Sequence, residues 1–172
     1  RRTKRCARHL FERMIILGID PGSARTGYGV IEKGPRSKLT CITYGCITTP
    51  QTKSSSERLL ILEKELAAVL KHYPPAVAGV ETLFFFKNLK TVMAVSAARG
   101  VILLTVARQK IPIYEFSPLQ VKMTIAGYGR AEKKQIQSMV KEILNLPEIP
   151  KPDDAADGLA IAIACSITQR PA

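Results

Sequence analysis

Four acidic residues stand where carboxylates are unusual. Asp20 ends the apolar run "MIILGI" and begins a Pro-Gly turn. Glu81 ends a second apolar run, "AVAGV", and is followed by "TLFFF", so its surroundings are largely apolar. A carboxylate there needs a partner. Asp154 and Asp157 in "PDDAADGLAIAIA" are three apart and share a helix face, with Asp153 one step off it. Taken alone, each has a plainer reading. Asp20 reads equally as the first residue of a turn. Asp153 is a natural N-cap after Pro152, and acids in a first helical turn complement the helix dipole. Together they point to one chemistry. Four convergent carboxylates repel one another and hold protons unless cations neutralise them. All-oxygen ligands suit Mg²⁺ or Mn²⁺. Two such ions ~3.5–4 Å apart activate a water and stabilise the leaving oxygen of a phosphodiester.

The elements that must position these acids follow from pattern. Met14–Ile19 reads as a buried strand, with Thr26–Glu32 and Lys38–Thr48 as two more joined by the short turn "KGPRS". Ser54 and Glu57 have capping-box spacing, and Leu59, Leu62, Leu66, Val69 and Tyr73 make one helical apolar face that "YPP" stops. "AVAGVE" is a fourth strand, Thr91–Arg108 a helix and "IPIYEF" a fifth strand. Ser117-Pro118 caps a helix that stops near "GYG". Ala131–Asn145 and Asp153–Thr168 complete the order βββαβα followed by β and three helices. A meander followed by alternating elements predicts an α/β domain, a mixed sheet flanked by helices. In it, neighbouring parallel strands would set Asp20 beside Glu81, and the last helix would bring Asp154 and Asp157 to the same spot.

The charge names a class of partner. Of 172 residues, 26 are Lys or Arg and 14 Asp or Glu, a net of +12 that favours a polyanion, usually nucleic acid. Residues 1–13, "RRTKRCARHLFER", hold +5 of this, so +7 belongs to the rest. They read as an upstream extension ahead of Met14 or as a basic arm that grips DNA, leaving 14–172 as a single domain. No apolar run is long enough to span a bilayer, and no signal-peptide pattern precedes the first strand. Four cysteines without C-x-x-C spacing, and two histidines away from them, give no zinc pattern and fit a reducing cytoplasm.

The stretches "ILGIDPGSARTGYGVIE", "GVETLFFFKN", "AARGVI", "AEKKQIQ" and "DAADGLAIAI", in this order from about Met14 to about Thr168, closely resemble the RuvC family of bacterial Holliday-junction resolvases. The resemblance implies a ribonuclease-H-like mixed five-stranded sheet, a homodimer, and one cut in each of two opposing strands of a four-way junction. It implies that Asp20, Glu81, Asp154 and Asp157 are the catalytic, metal-binding acids, with Asp20 bridging two Mg²⁺ ions for which Mn²⁺ would substitute. The family pattern needs only the second and third aspartates of "PDDAAD", which leaves Asp153 as a cap. Some relatives carry histidine at the position of Asp154; the all-carboxylate form here suits Mg²⁺. Phe84 falls where the family stacks an aromatic on a base, and Lys122 and Lys133 where it places lysines near the scissile phosphate. Arg99 matches too, as a helix-packing residue or a phosphate contact. A RuvA–RuvB branch-migration partner is implied in the same way.

Three other readings fit parts of the sequence, one of them a related resolvase-like or RNA-processing nuclease on the same fold. An ATPase of the actin and sugar-kinase type also opens with a strand, an Asp-x-Gly turn and a hairpin, but needs two such domains and a second phosphate loop. A DNA-binding module with decayed acids would not keep all four.

Overall fold

The computed structural model describes residues 13–82 and 89–168. A five-stranded mixed sheet runs in the order β3-β2-β1-β4-β5, from β1 (Met14–Asp20), β2 (Arg25–Lys33), β3 (Leu39–Thr48), β4 (Val77–Glu81) and β5 (Ile113–Phe116). The first three strands form the antiparallel meander, with a 3-10 turn at Pro35–Ser37, and β4 and β5 add in parallel to β1. Helices α1 (Ser55–His72) and α2 (Leu89–Arg108) cover one face. Helices α3 (Pro118–Ala126), α4 (Lys133–Ile143) and α5 (Asp153–Thr168) cover the other.

Local chemistry sets the boundaries. Ser54 and Glu57 form the expected capping box, and Ser117 caps α3 with Pro118 at its first position. The expected 131–145 helix is shorter. Gln135 turns back to accept from the Glu132 backbone at 2.8 Å, so Glu132 is the cap, and Asn145 leaves the far end at a left-handed φ of 51°. β5 begins after Pro112, which has no N–H for the ladder but whose carbonyl accepts from Ala78 at 2.9 Å. Helix α2 begins at Leu89, two residues before the expected Thr91.

Strand alternation decides which face each residue takes. Leu17 and Ile19 of β1 enter the core under α1 and α2, as do Ala78 and Val80 of β4. Ile16 and Val77 enter the core under α5. The same period sends Asp20 and Glu81 to the α5 face, and the β1–β4 register, ending at Ile19 opposite Val80, sets them side by side.

On that face α5 lies against the sheet backbone itself. Gly18 and Gly29 are cross-strand partners, and Gly27 is opposite Asp20. A Cβ on Gly29 would stand 2.6 Å from the Leu159 nitrogen, one on Gly158 2.6 Å from the Tyr28 Cα, and one on Gly27 would overlap the Asp154 carbonyl. These glycines are a seam along which helix and strands touch. The seam explains why every residue of Ala155–Ser166 except Asp157 is buried. Lys33 fixes the other end of α5, donating to the Ser166 carbonyl at 2.6 Å.

Gly29→Ala is expected to lower stability by about 1–3 kcal/mol, as overpacking does in a closed core. Gly34→Ala, whose Cβ would come no nearer than 3.7 Å to the Lys38 carbonyl, should stay within about 0.5 kcal/mol of the parent. Thermal unfolding of the two variants checks this; equal melting temperatures would refute the seam.

Candidate active site

Asp20 and Glu81, at the C-terminal ends of adjacent strands, open into a cleft of about 270 Å³. Asp157, from the first turns of α5, completes one wall. Lys122 of α3 and Lys133, the first residue of α4, stand opposite. Val121, Ile136 and Ile161 form an apolar floor. Five of the residues expected from sequence are thus brought together.

Two placements differ from expectation, and one expected residue falls outside the described chain. Asp154 is half-buried beside the cleft rather than in its lining, its carbonyl under Gly27, and it acts on Asp20 and Asp157 by charge alone. Like charges that share a corner resist closer approach. Asp153 is the first residue of α5 rather than its N-cap, and its side chain reaches Lys133 at 3.5 Å. Phe84 lies outside the described residues.

The acids hold protons more tightly than ordinary carboxylates. Burial, then the charges of Glu81 and Asp157, push Asp20 up to about 8. Burial also raises Glu81, against a hydrogen bond from Asp20 and with the Asp157 charge. A proton held by Asp20 is therefore directed at Glu81, its hydrogen-bond acceptor. Burial raises Asp157 as well, although Lys133 at 3.1 Å opposes the shift. Burial works against the Lys133 charge, but its bond and attraction to Asp157 and its attraction to Asp153 outweigh this and raise its pKa.

Among the described residues no group of three or more His, Cys, Asp or Glu side chains is disposed to hold a metal ion as it stands. The donor chemistry nevertheless fits a hard dication. Every acid of the cluster offers oxygen, and a dication would replace the proton that Asp20 and Glu81 share.

The sequence reading missed the parts that hold these groups still. One is the glycine seam, whose signal is two strand glycines at period two, Gly27 and Gly29, the second paired with Gly18. The other is the clamp on the loop after Asp20. The Arg58 guanidinium donates to the Ser23 carbonyl and, at 3.1 Å, to the Thr49 hydroxyl, which itself donates to Ser23 at 3.0 Å. Thr26 closes the same loop on the Gly22 carbonyl at 3.0 Å.

The sign of the pH effect follows from Asp20. Folding raises its pKa from an ordinary 3.8 to about 8. Its protonation therefore stabilises the folded state fully below pH 4, and that contribution is lost as pH rises to about 8. Without divalent cations the melting temperature should fall across this window. Asp20→Asn should flatten the fall and raise the melting temperature at pH 8, by roughly 2–4 °C per kcal/mol of repulsion removed. Scanning calorimetry in a chelator checks it; a parallel pH profile in the variant would contradict it.

A family model described as crossover junction endodeoxyribonuclease RuvC matches residues 16–165. The crossover junction endodeoxyribonuclease RuvC of Desulforamulus reducens is 56% identical over 151 residues, 87% of this chain and 91% of its own. That of Thermosipho melanesiensis is 50% identical over 157 residues, 91% and 99% of the two. A solved structure of T. thermophilus RuvC in complex with Holliday junction substrate is 32% identical, with a TM-score of 0.82 over 88% of this chain and 92% of that one. The yeast mitochondrial Holliday junction resolvase Ydc2, 17% identical with a TM-score of 0.62 over 91% and 81%, shares the fold. The carboxylate cleft falls wholly inside the matched span, and the chain belongs to the RuvC family of crossover junction endodeoxyribonucleases.

Proposed function

We propose that this chain resolves four-way DNA junctions by metal-dependent, symmetric, paired nicking in recombination and repair. The observation that carries the reading is the cleft itself. Three carboxylates from two strand ends and a helix start face two lysines, in a chain of this family. Asp20, Glu81, Asp154 and Asp157 would hold two Mg²⁺ ions, for which Mn²⁺ would substitute. When bound, the ions supply an activated water and charge stabilisation for a departing 3′ oxygen, leaving 5′-phosphate and 3′-hydroxyl ends.

The chain's own residues do the rest. Lys133 is neutralised by Asp157 and Asp153. With Asp157 engaged by the cations, the Lys133 ammonium would be available at the cleft, with Lys122, to the non-bridging phosphate oxygens. The apolar floor of Val121, Ile136 and Ile161 lowers the local dielectric and strengthens each of these attractions. Phe84 would stack on a base near the junction centre, worth ~1–3 kcal/mol. Two cuts in opposing strands require two such sites, hence a homodimer. Met93 and Leu104, 79% and 53% exposed on α2, favour that helix as its face. No helix among the described residues is long and apolar enough to cross a membrane. We place the protein with DNA in the cytoplasm, working with a RuvA–RuvB complex.

A synthetic four-way junction should be nicked in symmetric pairs in Mg²⁺, and a linear duplex of the same sequence left intact. Asp20→Asn should abolish nicking while junction binding is kept. Binding should weaken steeply with salt as counterions are released. Binding without nicking by the parent protein, in Mg²⁺ and Mn²⁺ alike, would contradict the reading.

A further inference from the structure

Arg99 lies on α2 between the core residues Ala98 and Ile102, and its guanidinium reaches across to the sheet. Its Nε donates to the backbone carbonyl of Glu81, a long bond of 3.4 Å. Its Nη2 donates to Glu115 Oε2. Glu115 is on β5, next to Phe116, the β4 partner of Glu81. One planar fork thus ties α2, the end of β4 and β5 together.

The tie falls where the sheet stops helping. The β1–β4 ladder ends at Ile19 and Val80, one residue short of Glu81. On the other side Thr82 is held to the Phe116 carbonyl at 2.8 Å. The Glu81 carbonyl is taken by Arg99. The direction of the Glu81 carboxylate follows from this backbone, so an element remote from the cleft fixes one of its acids. Two of the guanidinium nitrogens have protein acceptors, and Glu115 balances the charge. That arrangement suits a brace better than a phosphate contact. A lysine, with a point charge and no fork, would not reproduce it.

We propose that Arg99, held by Glu115, is a positioning residue. It locks the backbone of Glu81, aims that carboxylate at Asp20 and Asp157, and so sets the affinity of the cleft for divalent cations. The inference rests on the metal-dependent nuclease reading.

The test is Mn²⁺ affinity measured by calorimetry on the full chain without DNA, for the parent, Arg99→Ala, Arg99→Lys and Glu115→Gln. Junction binding in chelator and the Mg²⁺ dependence of cleavage are measured alongside. The Mn²⁺ dissociation constant should rise about 10–100-fold in Arg99→Ala, the range seen when a metal ligand loses its supporting partner. Arg99→Lys should recover little of this, and Glu115→Gln should show a smaller loss. The Mg²⁺ midpoint for cleavage should move by the same factor, and chelator-phase junction binding should not move. If Arg99→Ala does not fold, Glu115→Gln and Arg99→Lys decide. Unchanged Mn²⁺ affinity in the folded variants overturns the proposal. Weaker junction binding in chelator, with a salt slope shallower by about one, also overturns it and makes Arg99 a phosphate contact. A parent protein that binds Mn²⁺ but leaves the junction uncut refutes the nuclease reading instead, and the Mn²⁺ affinities still judge the brace.

Discussion

Like charges held in a small space repel, and this fold is organised to hold them there. Asp20, Glu81 and Asp157 share one cleft, with Asp154 close enough to add its charge. Nothing about carboxylates favours that arrangement, so the scaffold has to impose it. Strand alternation and register place the first two. The third depends on α5 lying flush on β1 and β2, which Gly18, Gly27, Gly29 and Gly158 permit. A side chain at any of these points would lift the helix start away from the strand ends. The loop clamp from Arg58 and the fork from Arg99 serve the same end at the two strand termini.

The electrostatic balance of the cleft is correspondingly poised. Protons and Lys133 neutralise part of the charge, and each is a weaker counter-charge than a dication. A proton shared by Asp20 and Glu81 is exchangeable for a cation, and Lys133, paired with Asp157 and Asp153, can exchange a carboxylate partner for a phosphate. The same groups that make the cleft costly to fold make it receptive to metal and to DNA. The net charge of +12 acts at longer range, drawing the polyanion toward a site whose own acids would otherwise repel it.

Much of this was legible in the chain. Asp20 and Glu81 were found because a carboxylate at the end of a buried strand is anomalous, and the caps at Ser54 and Ser117 because side-chain spacing alone specifies them. The choice among Asp153, Asp154 and Asp157 was harder. Spacing puts Asp154 and Asp157 on one helix face, yet only Asp157 lines the cleft, because Asp154 sits at the point where α5 touches Gly27. Helix rotation and depth are set by contact with the sheet, which the helix sequence does not contain. Arg99 lies eighteen residues from the carbonyl it holds, and Arg58 thirty-five from Ser23. Hydrogen bonds to backbone oxygens leave no residue-type signature at the acceptor, so neither could be read from the sequence.

The central claim is that the acids are held together against their repulsion and that a dication takes the place of a proton. Proton release on metal binding tests it most directly. Mn²⁺ would be titrated into the chelator-treated protein at pH 7, in buffers of different ionisation enthalpy. With Asp20 pushed up to about 8, the account predicts release of close to one proton per site, because the shared proton is still bound at that pH. Binding with no proton released would mean that the cluster is already fully ionised, and would contradict the account.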